Sequence, residues 1–220
     1  MAIKKASDKA ALPQLAAELD DKQAASWRKD ATRLAGHTVS PKKIEQLAAV
    51  LAESPHLNRL ASLFADDVPA LMAGNWEQVL KESKEEWQTA YQANPHDLQL
   101  MADIRKFRNR AHLAIALSEL LALIDIQQSW VLLTQIAEIA LQGVVTSLLK
   151  GRAVEECGWV IIGLGKLGAG ELNYSSDIDL IALYEPHADS TGDNASSEEQ
   201  AKHFTTMTRR LSQLLSQPTK

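Results

Sequence analysis

Two aspartates, Asp177 and Asp179, are the side chains of this 220-residue chain whose types and spacing best suit chemistry. The apolar run Asp179–Tyr184 predicts a strand, in which alternate side chains share a face, so the two carboxylates point the same way, about 7 Å apart at their Cβ atoms. Paired carboxylates bind hard divalent cations such as Mg²⁺, which neutralise phosphate charge and activate an attacking oxygen. Ser175 and Ser176 precede the first acid and can donate hydrogen bonds there. We therefore predict that both aspartates are catalytic metal ligands that face a nucleotide phosphate.

A glycine-rich segment precedes these acids and predicts a phosphate-binding loop. Gly163 lies at the end of the apolar residues 157–164, and Gly165 and Gly168 follow them. Glycine lets the backbone approach a ligand closely, and successive backbone N–H groups can bind phosphate oxygens. Lys166 lies inside the loop and can reach the same phosphates as a point charge. We assign these four residues, together with Ser175 and Ser176, to nucleotide binding.

Three other interpretations of the segment compete with a metal site. Gly163–Gly168 matches the G-x-G-x-x-G dinucleotide fingerprint, but in that fold the acid ends the second strand, about 20 residues on. Here Asp177 and Asp179 stand at the start of a strand. A P-loop requires Ser or Thr after its lysine, and Leu167 follows Lys166. The acids alone are also compatible with a capped turn. The glycine loop on one side and the apolar strand on the other favour the metal site.

The first part of the chain, residues 1–150, predicts helices throughout. Glycine is nearly absent there, and alanine and leucine recur every three or four residues. Ser40 followed by Pro41 is typical of a helix start. Ser54 stands before Pro55 and predicts a helix end. The two longest predicted helices lie at about Leu98–Leu123 and Gln128–Leu149. A helical bundle is the fold expected for this half.

The pattern of residue types changes over residues 151–220. Cys157–Leu164 and Asp179–Tyr184 predict short buried strands, Pro186–Ser197 an exposed loop, and Glu198–Ser216 a helix. Two strands and one helix cannot enclose a sheet core by themselves. The predicted fold class is therefore α+β, with an all-helical region followed by the first part of an α/β domain.

Composition limits the possible partners. The net charge of −5 argues against a general nucleic-acid or anionic-membrane binder. The single cysteine, Cys157, cannot form an intrachain disulfide, which fits a reducing cytoplasm. The N-terminal residues lack the apolar run of a signal peptide, and we expect no window to approach the roughly 20 apolar residues of a membrane span. We expect a cytoplasmic protein.

Two groups of side chains in the helical half have an ordinary structural explanation. Four cations are expected on a solvated helix face, with Ile104 and Phe107 turned inward: Arg105, Lys106, Arg108 and Arg110. Four tryptophans are expected in the core or half-buried at its margin: Trp27, Trp76, Trp87 and Trp130.

The sequence of residues 163–181, GLGKLGAGELNYSSDIDLI, closely resembles the signature of the bifunctional glutamine synthetase adenylyltransferase/adenylyl-removing enzymes. That family belongs to the polymerase-beta-like nucleotidyltransferases and carries two such domains in tandem. The ELN-x-SSDIDLI form resembles the N-terminal, adenylyl-removing copy, whereas the C-terminal copy reads more like ELGY-x-SDLDL. The helical stretch before the motif resembles the family more loosely.

The resemblance implies a reaction, a cofactor and partners. The adenylyl-removing domain takes AMP from a tyrosine of glutamine synthetase with inorganic phosphate and gives ADP, and the transferase domain adds AMP from ATP. A PII-type nitrogen regulatory protein and glutamine control the balance, which regulates nitrogen assimilation. The resemblance also implies roles for residues, with Mg²⁺ or Mn²⁺ on Asp177 and Asp179, and the phosphates near Gly165, Lys166, Gly168 and Ser176.

One part of the family pattern is missing from this sequence. The family's third acid stands on a later strand in a segment resembling R-V-D-x-R-L-R-P, and nothing similar occurs here. Glu185, Asp189 and Asp193 are poor substitutes because they fall at a polar loop. We hypothesise that these residues are an N-terminal fragment that is inactive alone. The alternative is a non-catalytic nucleotide-binding or regulatory module of the same superfamily.

Overall fold

The computed structural model describes residues 21–36, 39–93, 95–150, 158–185 and 197–216. Over these residues the chain is mostly helical, with two short strands near its C-terminal end, which confirms the predicted α+β class. In chain order the elements are α1 Asp21–Ala35, α2 Pro41–Glu53, α3 Pro55–Leu63, α4 Val68–Ala73, α5 Trp76–Gln92, α6 Asp97–Leu120, α7 Ile126–Leu149, β1 Trp159–Leu164, α8 Gly165–Ala169, β2 Asp179–Tyr184 and α9 Ser197–Ser216.

The helix boundaries follow the serine–proline signals in the sequence. Ser40 is extended and α2 begins at the next residue, Pro41, whose fixed φ and missing N–H suit a first helical position. Ser54 ends α2 and caps α3, where its side chain accepts a hydrogen bond from the Leu57 amide at 3.2 Å. These predicted boundaries are confirmed.

The described residues fall into two compact units, and each unit is made of two separate stretches of the chain. One unit comprises Met1–Leu80 and Arg110–Ser129, and the other comprises Lys81–Asn109 and Trp130–Lys220. Helices α5, α6 and α7 therefore contribute residues to both. The amino-acid composition changes at residue 150. That this position is also a domain boundary stays a prediction.

The first unit contains a buried ion pair, which corrects one expectation from the sequence. Arg110 Nε donates to Asp67 Oδ2 at 2.6 Å and Arg110 Nη2 to Asp67 Oδ1 at 2.7 Å, and the two side chains are only 9% and 13% exposed. The prediction that Arg110 lies on a solvated face is wrong, because the turn before α4 presents both carboxylate oxygens to its guanidinium.

The rest of that cationic cluster belongs to the second unit and is more accessible. Arg108 is exposed, and Lys106 pairs with Glu86 at 2.9 Å. Partial burial, followed by the neighbouring charge of Arg108, lowers the pKa of Arg105. The inward side chains of this turn were predicted correctly: Ile104 and Phe107 are buried.

The second unit is built around Trp87, which is 1% exposed. Its indole stacks on Phe107, with ring centroids 5.9 Å apart, and meets Tyr91 edge-on at 5.3 Å. Its Nε1 donates to the carbonyl of Ile139 on α7 at 3.1 Å. A Cβ at Gly143 would stand 2.5 Å from the indole, so glycine is what lets the ring lie against α7. The other three helical tryptophans are half-buried, within the predicted range.

The two strands pair antiparallel, from Trp159 opposite Tyr184 to Leu164 opposite Asp179. This pairing excludes the dinucleotide-binding alternative, because that fold pairs its first strands in parallel around a long crossover helix. Only the five-residue α8 and an irregular segment connect β1 to β2.

The two faces of this strand pair differ. On one face α9 packs: Tyr184 stacks on Phe204 at 4.9 Å, and Trp159 Nε1 donates to Thr208 Oγ1 at 3.3 Å. The other face carries five large apolar side chains that are 40–55% exposed among the described residues: Val160, Ile162, Leu164, Ile181 and Leu183. The prediction of buried strands is wrong for this face, because the described residues place a helix on only one side of the two strands.

Helix α7 is the one described helix that is long and apolar enough to cross a membrane, with a mean hydropathy of 1.5, so the expectation that no window approaches a membrane span is wrong by length and composition. This is weak evidence, since core helices pass the same test. The run is interrupted by polar residues such as Thr134 and Glu138, and side chains such as Leu133, Ile136 and Val144 are buried within the protein.

Candidate active site

The strand register brings the glycine segment and the acids to the same end of the strand pair. Leu164 is the last residue of β1 and lies opposite Asp179, the first residue of β2. The chain therefore leaves β1 through Gly165 at the point where it enters β2 at Asp179. This closeness was expected from the family resemblance, but it follows from pairing that the sequence pattern alone does not specify.

Gly165 lies directly under the carboxylate of Asp179. A Cβ at Gly165 would stand 3.2 Å from Asp179 Oδ2, and the backbone there has φ +53°, in the left-handed region. Both the conformation and the space therefore favour glycine. In this structure the missing side chain makes room for the acid.

The two other glycines of the fingerprint allow α8 to pack closely on β1. A Cβ at Gly168 would stand 2.6 Å from the carbonyl oxygen of Gly163, and a Cβ at Gly163 would stand 2.9 Å from the side chain of Leu167. Leu167 is buried, whereas Lys166 points outward and is exposed. Close packing accounts for these two glycines, and their role in phosphate binding stays a prediction.

A turn centred on Asn173 leads into the acids. Asn173 Oδ1 accepts hydrogen bonds from the amide and the hydroxyl of Ser175, at 3.1 and 3.2 Å, and from the Ser176 hydroxyl at 2.9 Å. Ser176 Oγ in turn accepts from the Asn173 amide at 3.0 Å. Both hydroxyl protons thus serve the turn in this structure. The turn itself follows from the turn-forming residues Asn173–Ser176, but the sequence did not single out the Asn173 side chain as its organiser.

The two aspartates are both exposed, but only one belongs to the strand. Strand β2 begins at Asp179, and Asp177 lies in the irregular segment before it. The prediction that both stand within a strand is therefore wrong for Asp177, because pairing with β1 stops at Leu164. Ile178 and Leu180, the apolar residues on either side of Asp179, are half-buried.

Comparison with known proteins shows the family to which this site belongs. Residues 44–220 match the family model of glutamate-ammonia ligase adenylyltransferase. The chain belongs to this family. It is 31% identical to the bifunctional glutamine synthetase adenylyltransferase/adenylyl-removing enzyme of Bartonella henselae over 90% of this chain and 23% of that protein. The enzymes of the same name from Rhizobium meliloti and Brucella suis are each 29% identical, over 93% and 79% of this chain. The chain spans about a fifth of the length of these relatives.

The donor set at this adenylyltransferase-family site suits a hard cation. Asp177 and Asp179 offer exposed carboxylate oxygens, the ligands that Mg²⁺ and Mn²⁺ prefer. Among the described residues no group of three His, Cys, Asp or Glu side chains is close enough to enclose a metal. The described part of the chain thus provides two carboxylate ligands. The predicted loop residues Asp189 and Asp193 lie outside it, as does Cys157.

A cleft of about 770 Å³ lies beside the acids rather than at them. Its walls include Glu138 and Gln142 from α7, Trp159 from β1, and the backbone of Gly163 and Gly168. Neither aspartate lines it. The cleft therefore reaches the back of the glycine segment, and the candidate metal site stands apart from it on an open surface.

Proposed function

We propose that this chain carries the metal- and phosphate-binding part of an adenylyl-removing centre, which takes AMP from adenylylated glutamine synthetase by phosphorolysis. The observation that carries the proposal is the contact between Gly165 and the carboxylate of Asp179, because it joins the glycine segment and the acids at one end of the strand pair. The names of the relatives supply the substrate protein and the two opposed activities.

Each site residue has a proposed role in this scheme. Asp177 and Asp179 hold Mg²⁺ or Mn²⁺, which when bound neutralises phosphate charge and activates the attacking oxygen. The backbone of Gly163, Gly165 and Gly168 and the ammonium of Lys166 orient the phosphates, whose negative charge the lysine offsets. Ser175 and Ser176 lie beside the phosphates and hold the turn before the acids, since their amides and hydroxyls both bond to Asn173.

The proposed reaction transfers the adenylyl group from the tyrosine to inorganic phosphate, and the protein mainly positions the reactants and stabilises the transition state. An oxygen of inorganic phosphate attacks the phosphorus of the AMP group, and the bond between that phosphorus and the tyrosine oxygen breaks. The products are ADP and the free tyrosine hydroxyl, which takes up the proton. In the longer relatives a second activity adds AMP from ATP, so we propose that the whole enzyme is bifunctional.

The proposed setting is the regulation of nitrogen metabolism in the cytoplasm. Glutamine synthetase is the proposed protein partner, and a PII-type regulatory protein is the proposed controller. The support is the name of the relatives for the first and the family resemblance for the second. The net charge of −5 fits a partner that is neither nucleic acid nor membrane.

Two assays on the 220-residue chain test the proposal. Calorimetry measures ADP binding with and without Mg²⁺, and chromatography measures ADP released from adenylylated glutamine synthetase with Mg²⁺ and inorganic phosphate. We expect Mg²⁺-dependent ADP binding that is lost in Asp179→Asn, but no ADP release, because the described residues supply only two carboxylate ligands. ADP binding that ignores both Mg²⁺ and Asp179→Asn overturns the proposed site. Release of ADP overturns the view that the chain is inactive alone.

The two-carboxylate donor set also favours a second candidate, a nucleotide-binding module without chemistry. It predicts the same Mg²⁺-dependent binding. The two candidates separate when the chain is part of a longer enzyme: Asp179→Asn abolishes phosphorolysis if the site is catalytic, and leaves it unchanged if the site only binds.

A further inference from the structure

The acids are carried by a segment without regular secondary structure. Residues 171–178 lie between α8 and β2, and the turn around Asn173 organises only the middle of this stretch. An irregular segment holds its side chains in place only if its backbone is tied to a rigid element. The question is therefore which contact fixes this segment to the helices.

One such contact comes from a buried threonine on α7. The Leu172 amide donates a hydrogen bond to Thr134 Oγ1 at 3.2 Å. The Thr134 hydroxyl itself donates to the Trp130 carbonyl at 2.9 Å, so its proton is engaged and its lone pair is directed to Leu172. Thr134 is 5% exposed and Leu172 is 4% exposed, so water does not compete with this bond.

The contact is connected to the acids through a short series of hydrogen bonds. Leu172 is followed by Asn173, whose amide and side chain hold the hydroxyl of Ser176. Ser176 directly precedes Asp177. A shift of Leu172 away from α7 therefore moves the origin of the whole turn on which the first acid stands.

We propose that Thr134 is a positioning residue for the metal-binding aspartates, acting through the Leu172 amide and the Asn173 turn. This inference rests on the proposed function, because it assumes that Asp177 and Asp179 bind a divalent cation. Thr134 touches neither the metal nor the nucleotide. Without its oxygen the buried Leu172 amide has lost its acceptor, and the segment can recover the bond only by moving towards water.

The same helix offers a matched control. Thr146 is half-buried and makes the same intrahelical bond, donating to the Gln142 carbonyl at 2.8 Å, but this bond is exposed. Thr146→Val therefore reproduces the change of hydroxyl to methyl on α7 without removing the acceptor of Leu172. Thr134→Ser is the conservative variant, since it keeps the oxygen and loses only a methyl group.

Hydrogen exchange tests the contact without reference to activity. We expect the Leu172 amide to exchange much more slowly than its intrinsic rate in the unsubstituted chain and in Thr134→Ser and Thr146→Val, and faster in Thr134→Val. A Leu172 amide that exchanges at its intrinsic rate in the unsubstituted chain overturns the inference, even if Thr134→Val fails to fold.

Mn²⁺ affinity, measured by electron paramagnetic resonance, tests the consequence. We expect Thr134→Val to bind Mn²⁺ about 10–100-fold more weakly, the usual effect of losing a group that orients metal ligands, with Thr134→Ser and Thr146→Val unchanged. Asp179→Asn is measured in parallel. If Asp179→Asn loses Mn²⁺ and Thr134→Val does not, the inference is wrong and the proposed function stands. If the unsubstituted chain binds no Mn²⁺, the proposed function fails and the inference with it.

Discussion

The helices around Trp87 bury their apolar side chains, whereas the strand pair β1–β2 leaves one apolar face exposed. Trp87 is enclosed by Phe107, Tyr91 and the backbone of α7, and its one polar atom has a partner. The strands have a helix on one face, while five large apolar side chains on the other face are 40–55% exposed.

The difference shows what each kind of element needs in order to bury its apolar surface. A helix has one apolar stripe and two neighbouring helices cover it. A strand has two faces, so a strand pair needs a layer on each side or further strands beside it. Among the described residues, neighbouring helices cover the apolar surface around Trp87. The strand pair, by contrast, has a covering layer on one face only. The candidate site stands at the end of this half-covered pair, which explains why its acids are exposed.

The largest effect is expected where the enclosure is complete. Trp87→Ala should lower the free energy of unfolding by about 3–5 kcal/mol, as for other aromatic-to-alanine changes in cores, because α5, α6 and α7 lose their common contact. Trp76→Ala, at the half-buried start of the same helix, is the control and should cost clearly less. Urea denaturation followed by circular dichroism measures both. Equal losses would show that burial does not distinguish the two sites.

A second comparison concerns two ion pairs with the same forked geometry. Arg110–Asp67 is about a tenth exposed, and Arg210–Asp97 is about two-fifths exposed. Asp67→Asn removes the negative charge that faces the buried guanidinium of Arg110 and should cost about 3–5 kcal/mol. Asp97→Asn should cost about 0–1 kcal/mol, because water and salt screen the exposed pair.

Denaturation at low and high salt checks this second comparison. The loss of unfolding free energy in Asp97→Asn should be smaller still at 1 M NaCl, because the added salt screens the remaining attraction between the exposed charges. The cost of Asp67→Asn should persist. A large, salt-independent cost for Asp97→Asn would mean that this pair is buried in solution.

Local signals predicted the elements well but not their tertiary contacts. The helix start at Pro41, the cap at Ser54 and the strand at Asp179 follow from residues that stand side by side in the sequence. The burial of Arg110 does not, because its partner Asp67 is 43 residues away. Nothing in the chain around α6 marks that contact.

The site divides in the same way. The glycines, the serines and both aspartates are recognisable from their spacing and from the signature motif of the family. The space under Asp179, however, depends on antiparallel register, and the hydrogen bond from Leu172 to Thr134 joins residues 38 positions apart. A motif identifies the residues, and only the packing shows which glycine serves the acid and which serve the helix.

A third prediction separates backbone strain from site geometry. Gly165 and Gly170 both have positive φ, +53° and +75°, but a Cβ at Gly170 meets nothing within 4 Å, whereas one at Gly165 meets Asp179 Oδ2. Each change to alanine should cost about 1–2 kcal/mol of stability from the left-handed backbone alone. Only Gly165→Ala should also weaken Mn²⁺ binding, because it displaces the carboxylate. Equal Mn²⁺ affinity in the two variants would contradict the proposed role of the Gly165–Asp179 contact.

The smallest effect is expected on the open face of the strands. Ile162 is 41% exposed, while its neighbour Ile161 points to the face that α9 covers and is half-buried. Ile162→Thr should change the free energy of unfolding by no more than about 0.5 kcal/mol and should reduce binding of a hydrophobic dye, because it removes part of an exposed apolar patch. Ile161→Thr should cost more and leave dye binding unchanged. If instead Ile162→Thr is as costly as Ile161→Thr, both faces of the strand pair are covered in solution, and the contrast between the enclosed helices and the open strands disappears.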